Sequence, residues 1–401
     1  MTWLPTRREG LVTIAAGLAA GPVAATARDT GLDAVARGRM LRFGSALSAR
    51  PQGASADNPA YAALLRADCG VLVAENEMKW QHLRPAPDRF DFAAFDRIAD
   101  WSTRNGMALR GHNLLWQRRK WMPRWLEAYD FGAQPATEAA RILREHIETV
   151  ARRYGERISS YDVVNEAVTP ETGDLEETAL SRALGGTEAT LDLAFRAARH
   201  SAPHAELVYN DYMSWEPGNA AHRAGVLRLL EGFRRRGVPV DALGLQSHIV
   251  TAGIDTAGTA RTYEGEWRRF LDAVTAMGYR LLITEFDVRD NGLPADPAAR
   301  DRGVADYARR YLDVTLSYPG LRDVLAWGLC DRFSWIGPFE PRPDKAPRRP
   351  CPYDADYRAK PLRAAIARAF ADAPDRTAMS PTPSGRPGRA PASPLAARPR
   401  Q

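Results

Sequence analysis

The chain has 401 residues, 45% hydrophobic and 26% charged, long enough to bury one large core. Its formal charge of +6 lies at the ends: residues 1–27 carry Arg7 and Arg8 against Glu9, and residues 376–401 carry five arginines and no acid, so the body between is neutral. A neutral body leaves no nucleic-acid footprint, and Cys69, Cys330 and Cys351 show no CxxC spacing for a redox motif or zinc cluster.

In chain order, Thr6-Arg7-Arg8, the mildly apolar Leu11–Ala20 and the small residues Ala25-Thr26-Ala27 predict an export signal over residues 1–27, twin-arginine-like by its paired arginines, with ordinary Sec export the alternative that Gly10 leaves open. The protein is therefore expected outside the cytoplasm, periplasmic or extracellular. No apolar run is long enough for a membrane span. Eight strand-like runs follow: Leu41–Ala46, Val71–Glu75, Met107–Gly111, Ile158–Val164, Glu206–Tyr209, Ala242–Leu245, Arg280–Thr284 and Val324–Gly328. Several are almost continuously apolar, as parallel strands covered on both faces are.

Between them run segments of helical period, such as Ala139, Ile142, His146, Ile147 and Val150, or Val226, Leu229, Leu230 and Phe233. Gly106, Gly155, Gly237 and Gly278 stand where helices should stop before the next strand. Eight strand–helix units without a GxGxxG after the first strand predict an α/β fold, a single (β/α)8 TIM barrel over residues 28–374. Residues 375–401, rich in Pro, Ser, Ala and Arg, predict a disordered tail. Cys330 and Cys351 could pair if the protein is exported, but spacing does not establish it.

In such barrels the chemistry sits at the C-terminal ends of the strands. There the chain places Glu75-Asn76-Glu77-Met78-Lys79-Trp80, Gly111-His112-Asn113 with Trp116, Asn165-Glu166, Asn210-Asp211-Tyr212, Gln246-Ser247-His248, Glu285-Phe286-Asp287, and Trp327 with Trp335. Amides and imidazoles bind hydroxyls, indole faces pack on the C–H faces of sugar rings, and two strand-end carboxylates can divide acid/base and nucleophilic work.

Six segments in register, Glu-Asn-Glu-Met-Lys-Trp, Arg-Gly-His-Asn-Leu-Leu-Trp, Asp-Val-Val-Asn-Glu-Ala, Tyr-Asn-Asp-Tyr, Leu-Gln-Ser-His and Thr-Glu-Phe-Asp, resemble glycoside hydrolase family 10, the endo-1,4-β-xylanases. The resemblance spans about Leu41 to Phe370. It implies a monomeric enzyme acting on a polysaccharide, xylan, with retention and no cofactor or metal. Glu166 would be the general acid/base and Glu285 the nucleophile. His248 would contact the nucleophile, Asp287 hold the imidazole and Gln246 support Glu285. Asn165 would bind the 2-hydroxyl of the sugar under attack. Lys79, His112 and Trp116 would complete that subsite, Glu75 and Asn76 would hold the next sugar, and Trp327 and Trp335 would roof the cleft. Asn210 and Tyr212 are counted with the substrate-binding residues, with a scaffolding role equally open. Arg119 and Cys330 depart from the family pattern where glutamine and arginine are expected.

Blander readings stand beside these. His112, Glu166, His248 and Glu285 could ring a divalent ion, although no HxH or HExxH spacing supports it. Trp101, Trp121, Trp125 and Trp267 read as core or loop packing, and Glu77 as structural.

Overall fold

The computed structural model describes residues 30–251 and 257–376. Its strands are β1 (Arg42–Leu47), β2 (Val71–Ala74), β3 (Ala108–Trp116), β4 (Ile158–Asn165), β5 (Glu206–Asp211), β6 (Ala242–Leu245), β7 (His248–Val250), β8 (Arg280–Arg289) and β9 (Leu321–Ala326). Eight of them close a parallel barrel in the order β1-β2-β3-β4-β5-β6-β8-β9, with β9 returning to β1. The remaining strand, β7, carries the line of β6 past Gln246-Ser247 and pairs with the outer end of β8, His248 opposite Asp287. The expected (β/α)8 barrel is the observed fold.

Each of the eight expected runs lies on one barrel strand, but the ends differ. β3 runs on to Trp116, β5 to Asp211 and β8 to Arg289, well past the apolar runs. The apolar run marks only the stretch between barrel interior and helices. Beyond it the ladder continues with polar side chains, because there it borders the mouth.

Helices cover the outside. In Pro135–Tyr154, proline occupies the first turn, where its missing N–H costs nothing, and Ala139, Ile142, Leu143, His146, Ile147, Val150, Ala151 and Tyr154 form the buried stripe. Ala93–Arg104, Thr187–Ser201, Ala220–Arg235 and Pro297–Thr315 bury similar stripes. Gly106 and Gly155 follow their helices at φ +64° and +50°. A Cβ there would meet nothing within 4 Å, so the left-handed backbone, not crowding, calls for glycine.

The main core lies between strands and helices, and smaller apolar sets fill the barrel itself, such as Val71, Val73 and Leu325. One interior layer is ionic: Arg110 of β3 donates to Asp162 of β4 at 2.6 Å, both without appreciable exposure. Removing one partner of such a pair strands a buried charge, at about 3–5 kcal/mol. Arg376, which the sequence reading assigns to the tail, packs on the barrel. That guanidinium is buried and donates to the carbonyls of Leu316 and Leu321, a docking that composition does not reveal. Cys69, Cys330 and Cys351 are buried free thiols, so the conceivable Cys330–Cys351 bridge is not made. Among the described residues no helix is long and apolar enough to cross a membrane. The expected export signal and most of the expected tail lie outside the described residues.

Candidate active site

At the C-terminal mouth the strand ends surround a cleft of about 990 Å3. Its walls include Glu75, Asn76, Lys79, His112, Trp116, Asn165, Glu166, Tyr212, Gln246, His248, Glu285, Trp327 and Trp335, so most residues expected at the site meet there.

Glu166 follows β4 in a left-handed conformation, φ +54°, and Ser247 turns the corner between β6 and β7 at φ +63°. Such backbone costs about 1–3 kcal/mol per residue and persists where surrounding packing enforces it, commonly at functional sites. Neutral donors hold the Glu166 carboxylate. Trp116 Nε1 donates to Oε2 at 2.9 Å; Gln246 Nε2 and Asn165 Nδ2 donate to Oε1 at 2.9 and 3.1 Å. Burial above all, with the charges of Asp211 and Glu285, raises its pKa, and the bonds from Gln246 and Trp116 offset this only in part.

Glu285, within β8, has the opposite surroundings. Asn210 Nδ2 donates to Oε1 at 2.8 Å, His248 Nε2 lies 3.3 Å from Oε2, and His112 Nδ1 lies 3.9 Å from Oε1. Burial alone would raise this carboxyl, but His112, His248 and Lys79 outweigh it and hold Glu285 below the usual range. His248 is itself tied through Nδ1 to Asp287 at 2.9 Å. Burial opposes its charge, yet Asp287 and Glu285 prevail and lift its pKa to about 9. The imidazolium is therefore present at neutral pH beside the Glu285 carboxylate. Trp335 Nε1 donates to the other Asp287 oxygen at 2.8 Å, so the roof and the His248 relay are one assembly.

His112 rests on the interior ion pair: its Nδ1 lies 2.9 Å from Asp162, whose other oxygen takes Arg110. The Lys79 ammonium donates to Asn76 at 3.2 Å and sits 4.7 Å from the Trp116 ring centroid. Burial lowers its pKa, against the pull of Glu285, Glu75 and Glu166. Glu77 lies outside the cleft lining and accepts from Ser48 Oγ and the Ala49 amide, the structural role expected for it.

Two expected residues sit differently. The Gln246 side chain grips Glu166 and Asn165, not Glu285; only its carbonyl serves Glu285, accepting the backbone N–H at 3.0 Å. Asn210 has no exposed surface, and its amide is used by Asn165, Glu285 and Thr284 beneath the floor, which favours the scaffolding alternative. Trp121, read as packing, instead lines the cleft, 39% exposed and stacked on Trp116 at 4.9 Å. A lone tryptophan in a polar loop has no periodicity to betray its direction.

Arg118 lies outside every motif of the sequence. Its Nη1 pairs with Glu176 at 2.6 Å, its Nη2 donates to Tyr212 Oη at 2.8 Å, and its Nε stands 3.9 Å from Glu166 Oε2. It joins the ends of β3, β4 and β5 beside that carboxylate. Among the described residues no group of three or more His, Cys, Asp and Glu is arranged to hold a metal ion.

With this geometry in place, the comparisons are specific. The Glycosyl hydrolase family 10 model matches residues 31–369. The chain belongs to glycosyl hydrolase family 10. Among relatives, Endo-1,4-beta-xylanase 5 of Pyricularia oryzae is 31% identical over 384 residues, covering 92% of this chain and 88% of the relative. Endo-1,4-beta-xylanase B of Thermotoga neapolitana is 29% identical over 310 residues, 77% of this chain and 83% of the relative. The solved structure of native xylanase 10B from Thermotoga maritima superposes with a TM-score of 0.73 at 27% identity, covering 85% of this chain and 98% of that one. Xylanase 10B from Thermotoga petrophila, solved in complex with xylobiose, gives 0.74 at 27% identity, with 86% and 98% covered.

Proposed function

We propose that this family 10 chain hydrolyses internal β-1,4-xylosidic bonds of xylan with retention, by double displacement, with Glu285 as nucleophile and Glu166 as general acid/base. The observation that carries the assignment is the contrast between the two carboxyls. Glu285 stands among His248, His112 and Lys79, which favour the anion. Glu166 takes its hydrogen bonds from neutral donors, the Arg118 cation 3.9 Å away is itself paired with Glu176, and burial raises the carboxyl, which favours the acid. Two carboxyls pushed apart in this way divide the acid and nucleophile roles.

In the first step Glu285 Oε attacks the anomeric carbon while Glu166 gives its proton to the departing glycosidic oxygen. A glycosyl ester forms and the aglycone leaves as an alcohol. Esterification removes the Glu285 charge, so the acidity of Glu166 rises, and as a carboxylate it takes a proton from the incoming water. Water attacks the same carbon, releases Glu285 and restores the first configuration. Asn165 supports the 2-hydroxyl of the reacting sugar, where hydrogen bonding strengthens as charge develops. Trp327 and Trp335 close over a pentose and would press on a hydroxymethyl group at C5.

That the similar proteins are endo-1,4-beta-xylanases supports the xylan reading. Time-resolved NMR of xylohexaose cleavage tests it: the first product should be the β-anomer. Glu285→Gln should abolish turnover. Glu166→Ala should be slowed most on poor leaving groups and partly rescued by azide, giving a β-azide. A first-formed α-anomer refutes retention, and an α-azide reverses the two roles.

A further inference from the structure

Glu166 interrupts its strand. β4 ends at Asn165, and although the Glu166 N–H still reaches the Asn210 carbonyl at 2.9 Å, the left-handed turn at Glu166 leads the chain off the barrel ladder. The buried Ala167 N–H goes to a side chain instead of a neighbouring strand: Tyr209 Oη of β5 accepts it at 3.2 Å. That hydroxyl donates its proton to Asp211 Oδ2, at the end of the same strand. The direction is fixed, because an ionised carboxylate only accepts, and burial together with the Asp211 charge keeps the phenol well above its ordinary pKa. Asp211 Oδ1 in turn accepts His222 Nε2 at 2.9 Å, from the first turn of the helix Ala220–Arg235, and the Tyr212 amide at 2.8 Å.

The Asp211 carbonyl also accepts the backbone N–H of Gln246, the residue whose side chain holds Glu166 Oε1, at 3.0 Å. Tyr209, Asp211 and His222 have no exposed surface, and none lines the cleft. A sugar cannot touch them, so their part in the reaction passes through the residues they hold. A left-handed residue other than glycine keeps its conformation only where its surroundings enforce it. The bond to the Ala167 N–H fixes the peptide that leaves Glu166, and with it the direction of the Glu166 side chain.

We propose that Tyr209 and Asp211 are positioning residues for the acid step: the chain from Asp211 through Tyr209 Oη to the Ala167 N–H holds the turn that aims the Glu166 carboxyl at the departing glycosidic oxygen. This rests on Glu166 being the general acid, as proposed above. The test is kcat/KM, which reports the glycosylation step, across aryl β-xylobiosides of graded leaving-group acidity, from phenyl to dinitrophenyl. Tyr209→Phe keeps the packed ring and removes only the hydroxyl. It should lose about tenfold on the phenyl compound and less than about twofold on the dinitrophenyl compound, whose leaving group departs without a proton. Asp211→Asn should show the same selective loss and also move the basic limb of kcat/KM on xylohexaose downward, because burial first and the Asp211 charge next favour the protonated Glu166. The other groups facing Glu166 and Asp211, namely Glu285, Lys79, Tyr212, His222 and Arg118 with its partner Glu176, stay in place in both variants. Equal losses across the series in Tyr209→Phe, no loss at all, or an unmoved limb in Asp211→Asn overturns the proposal, while Glu166→Ala in the same series keeps its steep dependence on the leaving group. If Glu166→Ala shows no such dependence, the acid assignment itself falls, and the positioning role with it.

Discussion

The Arg118–Glu176 pair should set the upper pH limit of activity, and its two halves should act in opposite directions. Arg118 Nε is 3.9 Å from the Glu166 carboxylate. Two unit charges at that distance attract by about 4 kcal/mol at an effective dielectric of 20 and about 1 kcal/mol in water. Both side chains are just over 10% exposed, and Glu176, 2.6 Å from Arg118, cancels much of the field. A net effect of about 0.7–1.4 kcal/mol on Glu166 remains, or about 0.5–1 pH unit. The sign is set by charge: Arg118 favours the Glu166 anion and lowers its pKa. Arg118→Gln should therefore move the basic limb of the kcat/KM profile upward, since Glu166 must be protonated to donate. Glu176→Gln leaves Arg118 unopposed and should move that limb downward; the double variant should fall between. The other charged groups around Glu166, namely Asp211 (paired with His222), Glu285 (with His248), Lys79 and Glu75, are untouched by either change. The assay needs an unactivated xylo-oligosaccharide, because an activated aryl leaving group departs without the acid. Limbs that move the same way in both single variants, or do not move, refute the reasoning: a purely structural pair would lower both rates without splitting the limbs.

Two shorter expectations accompany it. Trp121→Ala removes an exposed indole stacked on Trp116, so KM for long xylo-oligomers should rise about three- to tenfold, as for about 0.5–1.5 kcal/mol of aromatic contact, with little change for the shortest cleaved oligomers. His248 should titrate near pH 9 by NMR, and Asp287→Asn should bring it down by at least about one unit; since its folded pKa is raised, its contribution to stability is complete below the free-histidine value and fades as pH climbs through about 9.

The barrel was legible because parallel strands buried on both faces are written as apolar runs, and glycines such as Gly106 and Gly155 mark where helices must stop. The polar extensions of β3 and β8 were not, because once a strand reaches the mouth its inward residues are chosen for the site and the apolar signal fades. Glu166 and Glu285 could be picked out through their motifs, yet the allegiance of Gln246 could not. Which carboxylate it bonds depends on where the ends of β4, β6 and β8 come to rest. Arg118 was hidden for another reason. Many arginines among the described residues are surface ion-pair partners, as Arg141 and Arg153 are. Only the fold shows that this one turns toward the cleft.

One buried carboxylate far from the mouth separates stability from chemistry. Asp68 has no exposure, and it accepts the Leu32 amide at 3.0 Å, Arg363 at 2.7 and 2.9 Å, and the Tyr353 hydroxyl at 2.5 Å. It thereby fastens the first helix (Leu32–Arg37), the loop before the last helix, and that helix itself (Pro361–Asp372) at the seam where β1 meets β9. Asp68→Ala would leave the Arg363 guanidinium buried without this partner, at a cost of about 3–5 kcal/mol. For a domain of this size that corresponds to roughly 4–7 °C in Tm. Calorimetry should show that drop, while kcat/KM on xylohexaose at 25 °C stays within about twofold, since no contact of Asp68 reaches the cleft. A variant with unchanged Tm would mean that the terminal helices hold the seam by apolar packing alone. A large loss of kcat/KM at full folding would mean that the seam and the strand ends are mechanically coupled.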